Sequence, residues 1–189
     1  MQSYKKRYFS ARDLSVIAVF SAMQFVLQYF AGRITFIPGA ERPIVAFPVA
    51  FMAAITYLRV QKIGAIGITT LVTGILMLFM SGFPPVIFEW IGATIGAEAV
   101  VIVGHGLKGR CGALCLSLAG GFLMLGRGIG VTVGLFIFLP VAVLHNVATL
   151  ALLYTYIAFN GPVPFVLGTI GAYAAIQAYG RWFGGGMSK

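Results

Sequence analysis

The chain has 189 residues, of which 60% are hydrophobic and only 9% charged, with a mean hydropathy of +0.98. A soluble domain carries about 25% charged residues, so these side chains cannot clothe a water-facing surface. Lipid must be the main solvent, and no separate soluble catalytic domain fits. The net charge of +9 does not point to nucleic acid. The basic residues sit in short segments between apolar blocks, which is how charge orients a membrane protein.

In chain order, a basic head, MQSYKKRYFSARD, precedes the first apolar block, Leu14–Ala31. No small-residue cleavage pattern follows that block, so it reads as a span and not as a signal peptide. A loop with Arg33, Glu41 and Arg42 leads to a second block, Pro43–Leu58, closed by Arg59 and Lys62. The third block, Ile63–Met80, ends at SGFPP, and the fourth, Pro85–Gly104, ends at HGLKGR. Each has about the length a bilayer-spanning helix needs.

Residues 111–159 are apolar except for Arg127, His145 and Asn146. Pro140 starts a helix more easily than it continues one, which predicts a fifth helix over 111–138 and a sixth over 139–159. Phe165–Phe183 is apolar again. It reads as a seventh span, or as the sixth if 111–159 is cut differently. The expected fold is one all-α membrane domain over residues 1–189, a bundle of six transmembrane helices with this further segment in question.

Lys5, Lys6, Arg7, Arg12, Arg59, Lys62, Lys108 and Arg110 fall on one side of that topology, and Arg33 and Arg42 on the other. The asymmetry predicts a multi-pass protein of the cell membrane with a cytoplasmic N-terminus. Small-xxx-small pairs, Gly92/Gly96 and Gly130/Gly134, predict close helix packing. Ala18 and Ala22, one turn apart in AVFSA, form a small face that serves either internal packing or docking of a partner's membrane helix. Cys111 and Cys115 lack His or acidic neighbours and make no metal site.

Ionisable side chains at membrane depth are costly, roughly 2.5–3.5 kcal/mol each on insertion scales, and so face a cavity or a partner. Glu89 lies near the outer end of the fourth helix. Glu98 lies roughly 13–14 Å deeper and about half a turn round, so the two carboxylates face different ways and form no acid/base pair. Glu89, Trp90, Arg127, His145 and Asn146 are expected to share one level below the outer surface. Such a set suits a small, flat, nitrogen-rich ligand: the indole stacks, Asn offers a donor and an acceptor, and the carboxylate pairs with an amino or cationic group. Structural roles stand beside this reading: an anchoring Trp, a bundle His, and an Arg paired with a Glu. Glu98, among small residues, is open to helix–helix bonding, with Arg127 as one partner, or to ligand contact.

Size, helix plan and AVFSA together resemble the S components, the substrate-binding membrane subunits of energy-coupling factor (ECF) vitamin transporters. RPIVAFPVAFMAAI with its RVQK end, GFPP and GAEAVV, over residues 40–104, are similar to the YkoE type within that family, and LSLAGG is a weaker echo. The resemblance implies capture of thiamine or its hydroxymethylpyrimidine moiety. It also implies docking through Ala18 and Ala22 to a transmembrane coupling subunit that works with two ATPases. The chain carries no G-x-x-x-x-G-K-[ST], H-E-x-x-H or G-x-S-x-G motif, so no nucleotide site, cofactor or enzymatic activity is expected. The alternative is a self-sufficient secondary transporter or channel that uses Glu98 and Arg127 as a relay.

Overall fold

The computed structural model describes residues 9–35, 41–105, 107, 109–138 and 160–183. Among them the chain is an all-α membrane bundle: α1 (Ala11–Ile34), α2 (Glu41–Val60), α3 (Ala65–Ser81), α4 (Pro85–Gly104), α5 (Gly109–Phe138) and α6 (Pro162–Phe183). Five of these are long and apolar enough to cross a bilayer, and α3, at 17 residues, is shorter. The proposed sixth helix over 139–159, with His145 and Asn146, lies outside the described residues. The segment read as apolar from Phe165 is helical from Pro162, the ring that cannot donate standing at the helix start.

Local chemistry sets the helix ends. Ser10 and Asp13 form a capping box at the start of α1, each side chain bonding the other's backbone amide. Asp13 also accepts from Lys62 Nζ at 2.7 Å, tying this end of α1 to the α2–α3 turn. Gly64 and Gly82 flank α3 with φ of +91° and +62°, a left-handed backbone that glycine adopts without strain. Pro85 opens α4.

Packing follows the small residues. α4 and α5 run antiparallel and form the most extensive helix pair. A Cβ on Gly92 would drive into the Gly126 carbonyl, and one on Gly130 into the Phe88 carbonyl. The glycine pairs therefore serve close helix approach, in a solvent where water does not drive helices together. α6 packs on α2 and α5, with Gly171 against the Phe47 backbone and Gly168 against Gly120.

α1 packs on α2 and α3 through an unusually polar stripe. Ile17, Ser21, Gln24, Gln28 and Ala31 recur at helical spacing and are all buried. Ser21 donates to the Thr69 carbonyl at 3.1 Å, Gln24 Nε2 to the Val49 carbonyl at 3.3 Å, and Thr73 to Gln24 Oε1 at 3.3 Å. Ala18 and Ala22 lie off this stripe and are exposed. Of the two sequence readings, internal packing is the one the helix face does not use.

Candidate functional site

Four helices bring polar side chains together at the end of the bundle where α1 finishes and α2 and α4 begin. α4 supplies Glu89 and Trp90, α5 Arg127, α2 Arg42 and α1 Gln28. Glu89 is 5% exposed, Arg42 6%, Arg127 3% and Gln28 2%. Such burial is tolerated only because the charges meet. Arg42 Nη2 lies 2.8 Å from Glu89 Oε2, and Arg127 Nε lies 2.8 Å from Oε1, with Arg127 Nη2 also bonding Oε1. Arg127 Nη2 donates in addition to Gln28 Oε1 at 3.2 Å. The Arg127 guanidinium carbon sits 4.4 Å from the Trp90 ring centroid, a cation–π stack in a desolvated setting.

This geometry realises the convergence of Glu89, Trp90 and Arg127 and corrects its chemistry. Glu89 is not a bare carboxylate awaiting a ligand's cation. Two guanidinium groups from two other helices already hold it. Trp90 is not a free stacking platform, because it is 1% exposed, with Arg127 over its ring and Gly74 against its Cβ and Cγ.

Arg42 also departs from the sequence reading, which placed it in an outer loop. Its charge is drawn into the bundle from the first turn of α2. Between Glu41 and Pro43 it looks like a loop residue, and no pattern within α2 reveals its partner on α4. Gln28 left a fainter mark. Ser21, Gln24 and Gln28, spaced three and four apart in an apolar helix, trace one polar face.

Glu98 stands apart, as its half-turn offset from Glu89 requires. Its carboxylate accepts from the backbone amides of Gly64 at 3.0 Å and Gly67 at 2.7 Å. It thus caps the N-terminus of α3 from the neighbouring helix, where free amides and the helix dipole favour negative charge. Its expected pairing with Arg127 does not occur among the described contacts. This is a helix–helix bond with backbone as the partner.

The cluster forms one wall of a cavity of about 430 Å³, lined also by Thr35, Glu41, Met77 and Phe83. That volume is in the range of small-molecule sites, about 300–1,000 Å³, and an apolar wall with a few converging polar groups is their usual make-up. Among the described residues, no group of three or more His, Cys, Asp or Glu side chains could hold a metal ion. Comparisons with protein-family models, curated proteins and solved structures return no match.

Proposed function

We propose that this protein is the substrate-capture subunit of an ECF-type importer, taking a small vitamin-like solute into the α1–α2–α4–α5 cavity. The cavity is the observation that carries the reading. It joins a solute-sized volume to a buried polar cluster contributed by four helices, at one end of an all-helical membrane bundle. The predicted topology makes that end the outer one and the N-terminus cytoplasmic. Gln28, Glu89, Trp90, Arg127 and Arg42 form the described wall; His145 and Asn146, which the sequence reading adds to the ligand-contacting set, lie outside the described residues. Glu98 serves the scaffold instead.

The partner face is the exposed small strip of α1. Ala18 and Ala22 lie among exposed Leu14, Val19 and Met23, a surface on which another membrane helix can approach closely. A coupling subunit with two ATPases is the partner that the resemblance implies. It favours thiamine or its hydroxymethylpyrimidine moiety as the solute.

Reconstitution tests this reading. Proteoliposomes holding the protein, a coupling subunit and two ATPases should accumulate solute only with ATP and only with all four components. Accumulation by the protein alone, driven by an ion gradient, would replace this reading with that of a secondary transporter.

A further inference from the structure

The cavity's polar wall leaves donors without acceptors. Two guanidinium groups, Arg42 and Arg127, face one buried carboxylate, Glu89. Arg127 Nη1 and Gln28 Nε2 are buried and have no hydrogen-bond partner among the described residues. Buried donors are almost always satisfied, and each one left alone costs about 1–3 kcal/mol. Both belong to side chains that line the cavity, and both are donors. The missing partner is therefore an acceptor, and a guanidinium donor favours one that is negatively charged, because hydrogen bonds between charged groups are the stronger ones.

We infer that the solute presents a carboxylate to Arg127 and Gln28, so the site selects a small organic monoanion. The inference rests on the reading of this cavity as the solute site, and narrows it away from cationic thiamine. A carboxylate can set one oxygen on Arg127 Nη1, the guanidinium nitrogen that Glu89 leaves over, and take the Gln28 amide on its second oxygen. Glu41, partly exposed, lines the same cavity. A second negative charge on the solute would meet that carboxylate, hence one anionic group and not two. The apolar wall of Met77, Phe83 and Val131 suits a ring or short chain behind it.

The test uses matched probes on the full chain in lipid nanodiscs. Benzoate, benzamide and benzylamine share a ring and differ in charge; nicotinate, thiamine and hydroxymethylpyrimidine extend the set. Calorimetry measures affinity, and Trp90 fluorescence in a Trp182→Phe background reports occupancy beside Arg127. Benzoate or nicotinate should bind at least about tenfold more tightly than benzamide, the low end for a hydrogen bond to a charged group, and benzylamine should not bind.

Gln28→Glu supplies the second check. It places a carboxylate of the protein's own beside Arg127, so it should raise the thermal midpoint and abolish benzoate binding. A merely structural Gln28 would leave benzoate binding unchanged. The inference is overturned if benzylamine or thiamine binds as tightly as the carboxylates, if Gln28→Glu binds benzoate like the parent, or if no carboxylate probe binds. Carboxylate binding without ATP-driven uptake would leave this inference standing and remove the importer reading. ATP-driven uptake of thiamine would do the reverse.

Discussion

At the scale of single residues, Glu89 is the member of the cluster whose loss should cost most. It is the one carboxylate that compensates both Arg42 and Arg127. Glu89→Gln keeps the shape and leaves two buried guanidinium groups against a neutral amide. Breaking a buried pair from one side typically costs about 3–5 kcal/mol. A large fall in the thermal midpoint of the detergent-purified protein is the expected outcome. Glu89→Met combined with Arg127→Met should recover part of that loss, and a double mutant no better than Glu89→Met would argue against a direct coupling. Glu98 is expected to behave differently. The Gly64 and Gly67 amides bond different oxygens of Glu98, so Gln at 98 can still accept from one of them and should cost less than Leu, which leaves both uncapped and should cost about 1–2 kcal/mol. Equal midpoints for Gln and Leu would show that the cap contributes nothing. Residue types at depth made Glu89, Trp90 and Arg127 legible as one site, because an ionisable group in an apolar run must find a partner. The sequence could not show which partner. A carboxylate signals the same need whether a ligand's cation or a distant arginine meets it, and Arg42 is 47 positions away along the chain.

At the scale of helices, the α4–α5 seam is where the site is held in register. Glu89 and Arg127 can meet because Gly92 and Gly126 let the two backbones touch one helical turn away. Gly126→Leu should push α5 off α4 and separate the pair, lowering stability by several kcal/mol in the manner of an overpacked core. Gly32→Ala, on a helix position with nothing near its added methyl, should be close to neutral in the same melting assay. A Gly126→Leu protein as stable as its parent would mean that the seam is looser than its geometry. Most helix bounds were readable because apolar blocks of spanning length are separated by charge, Gly and Pro. The start of α2 was not: Glu41 and Arg42 look like loop residues by composition, and only a carboxylate on another helix makes the burial of Arg42 tolerable. The small-xxx-small spacing named the right glycines, since close approach needs the same residue type whichever helix comes near.

At the scale of the whole molecule, the proposed docking face and the proposed solute cavity lie on separate parts of the bundle, so one should be alterable without the other. Ala18→Leu adds bulk to an exposed position and should leave melting and solute binding unchanged while abolishing uptake in the four-component proteoliposomes. Loss of binding in the isolated subunit would mean instead that this face supports the cavity. The charge cluster also has a history, because its members leave the ribosome at different times. Arg42 is made long before Glu89, and Arg127 after both. Until α4 emerges, the Arg42 guanidinium lacks the Glu89 carboxylate that it meets in the bundle, and its long stem can hold it at the headgroup level. Its position near the end of α2 makes that wait inexpensive; the same charge mid-helix would not be tolerated. Burial of Arg42 should thus be a late event in biogenesis. A nascent chain truncated before Glu89, with Arg42→Cys in a background lacking Cys111 and Cys115, should react with a membrane-impermeant thiol reagent, and the full-length chain should be protected. The first turn of α2 then reports whether the last charge partners have been inserted.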